Sequence, residues 1–275
     1  MTSTLTHEIV FEGIGIHSGL PVKAVIKPAL PGTGIIFRRT DLHPTVSIRA
    51  TLLNVVDTTR CVTLGCCGAT ISTVEHLLAA LWATNVDDIV VDVNAAELPI
   101  GDGSALCWLE HLEKANVSTH SDHQPPKKIL HLDKLIRIED GEIFVEASPS
   151  NRLEIEYDVI FDHPIVKTQS AYFTEGDDFS SEIAPARTFG FIEEVEELRR
   201  HGLAQGGSLD NTLVIFPDHL SSPMRLENEL ARHKLLDLLG DLSLMGTDMK
   251  AAIHARAAGH RMHIDIARQI LKEGQ

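Results

Sequence analysis

VSTHSDHQPPKK, residues 117–128, is the stretch that decides how this chain is divided. It is polar, carries Pro125-Pro126 and has no hydrophobic period, which marks a linker between packed units. With 121–128 as the linker proper, the 275 residues fall into two parts of ordinary domain size, 1–120 and 129–275.

Working outward, each part reads first as strands. Residues 22–27, 34–39, 45–50 and 60–64 carry strand patterns before the linker, and 129–139, 142–147 and 153–160 carry them after it. Alternation such as LEIEYDVI (153–160) predicts sheets with one wet face. Each part then closes in one order. A helix (73–83), a strand (88–93) and a helix (105–115) end the first; a helix (225–244), a strand (250–257) and a helix (260–272) end the second. The predicted class is α+β: two similar domains, each a β-sheet packed against a helix pair, with the active site at their interface. The second part also carries an insert, GFIEEVEELRRHGLAQGGS (190–208). Phe191, Val195 and Leu198 fall near one helical stripe there, so spacing alone predicts an amphipathic surface helix.

Composition narrows the function. The net charge of -15, from 24 basic and 39 acidic residues, argues against a nucleic-acid partner, which needs a basic footprint. A small anionic ligand held by a few local cations stays open. Cys61, Cys66, Cys67 and Cys107 form no C-x-x-C pair, and a count of 4 in this length points to a reducing, cytoplasmic setting rather than a disulfide framework. The N-terminus lacks a basic region followed by an apolar one, and the longest apolar run, 77–83, is too short to span a bilayer. No transmembrane segment is expected, peripheral membrane contact stays open, and a monomer is expected.

Chemistry concentrates in three segments. In RLENELARHKLLDLLGDLSLM (225–245), His233, Asp237 and Asp241 lie within ~80° of each other on a helix covered by leucines. A buried imidazole with two carboxylates is costly unless each is paired or bound to a cation. His233 and Asp237, at i and i+4, can converge on one point, as metal ligands or as a pair that merely stabilises the helix. In ISTVEHLLAALWA (71–83), Ser72 and Glu75 match a capping box, a sufficient structural reason for Glu75. His76 follows directly, and an adjacent Glu-His suits metal-assisted hydrolysis, with His as ligand and Glu as proton acceptor. Neither H-x-x-E-H nor H-E-x-x-H is present, since Ser72 stands where the former needs its first His. The third segment is Ala258-Gly259-His260 with His263 three residues on, which alone reads as solvated histidines at a helix start.

Taken together, His76, His233 and Asp237 suit Zn²⁺ with an open fourth position, or equally the facial triad of a non-haem Fe²⁺ oxygenase. Glu75 favours hydrolysis, because an oxygenase needs no base beside the water. A nucleotide-sugar or lipid-binding protein with a structural metal is the non-enzymatic alternative, although structural zinc sites are normally closed.

Further stretches carry a family resemblance: GIGIHSG (13–19), TGIIFRRTDL (33–42), STVEHLLAAL (72–81), VNAAELPIGDGSA (93–105), ARTFGF (186–191), GLAQGGSLDN (202–211), RHKLLDLLGDL (232–242) and AGH (258–260). From about Ile9 to the C-terminal helix the chain resembles the UDP-3-O-acyl-N-acetylglucosamine deacetylases, zinc hydrolases of the committed step of lipid A, and hence lipopolysaccharide, biosynthesis. The resemblance implies two α+β domains with the site between them, and an acylated UDP-amino-sugar as substrate. It places the metal ligands on His76, His233 and Asp237, with Zn²⁺ or Fe²⁺ as the ion. It makes Glu75 the general base, His260 a second catalytic residue with Asp241 beside it, and Thr188 a holder of the oxyanion. It puts His17 and Lys234 at the substrate. It turns the 190–208 insert into a hydrophobic passage for the acyl chain, lined by Phe189, Phe191, Ile192, Val195, Leu198 and Leu203. The chain departs from the family at His263, where Asn is common, at Ala204 in the passage, and in its short C-terminus.

Overall fold

The computed structural model describes residues 1–120 and 127–274. Its architecture is α+β and is built on a repeated strand pattern. In the first sheet, Ile9–Ile14 and Pro21–Pro28 form a hairpin, Pro21–Pro28 pairs antiparallel with Ile89–Val93, and Ile89–Val93 runs parallel to Ile35–Arg39, which pairs with Val46–Arg49. In the second, Ile136–Asp140 and Ile143–Pro149 form the hairpin, Asp248–Arg256 takes the central place, and Glu154–Val159 and Gln169–Thr174 complete the same order and directions. The pattern read in LEIEYDVI holds: residues 154–159 alternate half-buried and buried along the strand.

Six α-helices occur among the described residues: α1 (Glu75–Ala83), α2 (Leu106–Ala115), α3 (Phe179–Glu182), α4 (Ile192–Arg200), α5 (Glu229–Ser243) and α6 (His260–Glu273). Helix α1 packs on α2, and α2 lies on Ile9–Ile14; α6 packs on α5 and on Ile136–Asp140 and Ile143–Pro149. The two buried helices α1 and α5 then pack against each other between the sheets. A single apolar cluster runs through both sheets and this helix contact. Burial on most sides explains why α1 and α5 lack a solvent-exposed polar face, unlike α4, which buries no residue.

Several expectations change. Residues 117–119, at the head of the expected linker, are a strand that pairs antiparallel with Ser3–Leu5, and residues 121–126 lie outside the described residues. Lys127 bridges Asp87 of the first half and Asp248 of the second, at 2.7 and 2.9 Å. The expected strand 129–139 is two pieces, Ile129–His131 and Ile136–Asp140, because each has a different partner: one runs parallel to Asp248–Arg256, the other antiparallel to Ile143–Pro149. Helix α5 begins at Glu229 rather than 225, since Asn228 has a left-handed φ of 55° and the Glu229 carboxylate accepts from the Arg225 N–H. The capping box does not form. Helix α1 has no side-chain cap, Ser72 Oγ donates to the Ala96 carbonyl, and Glu75 Oε2 accepts from the Val62 N–H.

All 4 cysteines are free thiols, and no helix among the described residues is long and apolar enough to cross a membrane.

Candidate functional site

The crossing of α1 and α5 delivers the chemistry. Helix α1 contributes Glu75 and His76 from its first turn, both buried. Helix α5 contributes His233, Asp237 and Asp241, successive turns of one face, all buried. His76 Nε2 lies 3.7 Å and His233 Nε2 3.5 Å from Asp237 Oδ1. The nearest donor atoms of the three side chains all fall within 4.8 Å of one another. The other nitrogen of His233, Nδ1, is 3.1 Å from the Ala186 carbonyl oxygen, which holds the proton on Nδ1 and leaves Nε2 free to ligate. Asp237 Oδ2 accepts from Lys234 Nζ at 2.8 Å, whereas Oδ1 is buried with no hydrogen-bond partner among the described residues.

A buried carboxylate oxygen left unpaired between two imidazoles is costly unless a cation sits there. These residues therefore fit a divalent cation with three protein ligands. Protonation states agree. Burial, and then the neighbouring His233, pushes His76 down to about 3, and burial lowers His233 as well. Burial works against ionised Asp237, yet His233, Lys234, His260 and His76 hold its carboxyl well below the usual range. Neutral imidazoles and an ionised carboxylate are the forms that bind metal.

Helix α6 adds His260 from its first residue. Its Nδ1 is 2.7 Å from Asp241 Oδ2, and its Nε2 points into the site, 3.9 Å from both Glu75 Oε1 and Asp237 Oδ2. Burial opposes the charged ring, but Asp241, then Asp237 and Glu75, raise His260 to about 9. Burial, and then the carboxylates of Asp237 and Asp241, raises Glu75 to about 8 against the pull of His260.

A cavity of about 310 Å³ opens from this cluster. Glu75, His76, His233, Lys234, Asp237 and His260 line it together with Thr188 and His17. Thr188 is set there by its N–H bond to the Gly103 carbonyl, at 2.7 Å; Gly103 has φ +85°, and a Cβ on it would meet the Asn211 carbonyl oxygen at 2.0 Å. Phe189, Ile192, Val195 and Leu198 supply apolar lining, as does Ala204. Phe191 and Leu203 do not line the cavity. The Phe191 ring packs against Phe161 and His163 where the strand gives way to α4, and the Leu203 N–H returns to the Leu198 carbonyl to close the end of α4.

Other contributors escaped the sequence reading. Glu97 is buried and accepts from the N–H groups of His17 and Ser18, at 2.7 and 2.8 Å, which shapes the 13–19 loop. An acidic residue set among the apolar neighbours of VNAAELPI was the available signal. Arg60 pairs with Glu194 at 2.8 Å, joining the loop beside Glu75 to α4 along the cavity wall. Tyr157 stands behind His263.

The chain matches the LpxC family, described as UDP-3-O-acyl N-acetylglycosamine deacetylase, over residues 2–272. Similar relatives carry the name UDP-3-O-acyl-N-acetylglucosamine deacetylase. One from Citrifermentans bemidjiense is 40% identical over 98% of this chain and 88% of its own length. One from Syntrophotalea carbinolica is 40% identical over 98% of this chain and 87% of its own. One from Nautilia profundicola is 36% identical over 98% of this chain and 91% of its own. A family match over nearly the whole chain, with relatives up to 40% identical over 98% of it, shows that the chain belongs to the UDP-3-O-acyl N-acetylglycosamine deacetylase family.

Proposed function

We propose that this chain is a zinc-dependent amide hydrolase that removes the acetyl group from UDP-3-O-acyl-N-acetylglucosamine, releasing acetate and the free glucosamine amine in the committed step of lipid A biosynthesis. The observation that carries the reading is the convergence of His76, His233 and Asp237 around an unpaired buried carboxylate oxygen, with Glu75 and His260 beside it. The names of the relatives support the substrate.

In this reading His76, His233 and Asp237 hold the ion. When bound, a divalent cation supplies Lewis acidity that polarises the acetamide carbonyl and makes a water acidic near neutral pH. Glu75 accepts the proton of the attacking water at its free Oε1. His260, kept cationic by Asp241, and the Thr188 hydroxyl donate to the oxygen on which negative charge develops. The proton needed by the departing amine comes from the Glu75–His260 pair. Lys234 keeps Asp237 ionised and meets polar groups of the substrate, as does His17. Val195, Leu198, Ile192 and Phe189 accommodate the acyl chain, where each buried methylene is worth ~0.8 kcal/mol. An oxygenase on the same ligands is disfavoured because Glu75, which such chemistry does not need, is held against the metal set.

We also place each sheet with its helix pair in a domain of its own, and the protein in the cytoplasm as a monomer that can touch a membrane peripherally. Metal analysis of the purified protein together with acetate release from the acylated UDP-sugar tests the assignment. A zinc-loaded, folded protein that releases no acetate would refute it.

A further inference from the structure

Behind His260 lies a second imidazole that the proposed reaction leaves without a task. His263, fully buried, places Nδ1 2.8 Å from Asp241 Oδ2, the same oxygen that is 2.7 Å from His260 Nδ1. Its Nε2 is 2.9 Å from the Tyr157 hydroxyl, which also lies 2.8 Å from the Ala258 carbonyl oxygen. Tyr157 is itself buried, on the strand Glu154–Val159. The four side chains form one line: Tyr157, His263, Asp241, His260.

Proton counting gives the line a direction. Asp241 is an acceptor only, so both imidazoles present N–H at Nδ1. With Nδ1–H turned to Asp241, the Nε2 of His263 is met by the tyrosine hydroxyl, whose single proton serves either that nitrogen or the Ala258 carbonyl. Among the described residues Asp241 Oδ1 is buried without a hydrogen-bond partner, so the carboxylate is held through Oδ2. Were His263 removed, the His260 contact would be its remaining side-chain anchor, and the carboxylate could rotate.

We propose that His263 is a positioning residue for His260: braced by Tyr157, it locks the Asp241 carboxylate so that Oδ2 stays on His260 Nδ1 and Nε2 of His260 stays aimed into the site. This rests on the hydrolase reading given above. Partners behind metal-ligating imidazoles commonly matter about ten- to a hundredfold, and an effect of that order is expected behind His260.

The test compares His263→Leu and His263→Asn in the zinc-loaded protein. The Asn amide can donate from nearly the position of Nδ1, whereas Leu cannot. We expect His263→Leu to lose about tenfold or more in kcat with KM little changed, His263→Asn to regain most of it, and the His260 Nδ1 proton resonance of substrate-free protein to move upfield in His263→Leu only. If folded His263→Leu keeps the wild-type kcat and that resonance, the proposal is overturned. Should His263→Leu fail to fold, Tyr157→Phe removes only the brace. It is expected to shift the His263 ring resonances and lower kcat in the same direction, and no change in either overturns the proposal. Wild-type protein that releases no acetate would sink the hydrolase reading instead, while the resonances still decide whether His263 orients His260.

Discussion

A Cβ placed on Gly240 would lie 2.1 Å from the carbonyl oxygen of Glu75 and 3.0 Å from its Cα. Helices α1 and α5 therefore touch backbone to backbone at this point, and the contact brings Glu75, the proposed general base, to His233 and Asp237, the proposed metal ligands of the other helix. The helix that holds His233 and Asp237 can approach Glu75 and His76 only where residue 240 has no side chain.

Gly240→Ala should force the helices apart. We expect a loss of about 1–3 kcal/mol of stability, the usual cost of overpacking, together with weaker metal binding. Thermal unfolding and zinc titration measure the two effects. A variant that matched wild type in both would mean the helices do not need this closeness.

Replacing Glu75 and replacing His233 should separate two roles. Glu75→Ala should keep its metal but lose about 10²–10⁴ in kcat, the span typical of a missing acid or base. His233→Ala should lose metal and activity together. Elemental analysis beside rate measurement decides, and full zinc occupancy in His233→Ala would remove that residue from the ligand set.

Turnover should follow a bell in pH. Burial raises Glu75 to about 8, so the base gains its charge, and the rate climbs, as pH rises through that value. A bound divalent cation moves this limb to lower pH by favouring the carboxylate. The alkaline limb falls as His260 loses its proton near 9. Asp241→Asn removes the charge that raises His260 against burial, so the alkaline limb should shift to lower pH. A limb that stays in place would detach it from His260.

The buried Arg187–Glu229 pair should govern stability rather than chemistry. The Glu229 carboxylate takes bonds from the Arg187 backbone N–H, the Arg187 guanidinium and the Arg225 N–H, at 2.6 to 3.0 Å. Glu229→Ala leaves the arginine buried without its counter-ion, with only Ser222 Oγ and the Pro223 carbonyl oxygen as acceptors, at a cost of about 3–5 kcal/mol by denaturant unfolding. Burial opposes the charge on Glu229, but these donors hold its folded pKa below the usual value. Its contribution is thus complete above the unfolded pKa of about 4.3 and declines as pH falls through the lower folded value. The acid limb of the wild-type stability curve should flatten in the variant.

Leu198→Asp should raise KM for long-chain substrates much more than for short ones, because the proposed acyl passage loses apolar wall, at ~0.8 kcal/mol for each methylene it would bury. KM measured along an acyl-length series checks this, and a uniform rise would place the chain elsewhere.

Local pattern carried much of this protein. His233, Asp237 and Asp241 were legible because helical periodicity puts i, i+4 and i+8 on one face, and that holds wherever the helix goes. The repeated order of strands and helices was legible because alternation and periodicity are short-range. Glu75 shows the limit: its spacing from Ser72 is that of a cap, yet the Ser72 hydroxyl bonds Ala96 and the Glu75 carboxylate bonds Val62, partners that folding alone supplies.

What tertiary structure decided is how separate stretches meet. Glu97 under the His17 loop, Arg60 against Glu194, and Tyr157 behind His263 join residues from 80 to 134 positions apart. No periodicity relates such pairs. The paired orientation of His76 and His233 around Asp237 likewise depends on two helices crossing at a glycine. Sequence alone determined the chemical kinds of the groups and the helix faces that bear them. The crossing determined that they face one point, because side-chain direction is local while helix approach is set by the packing of the whole core.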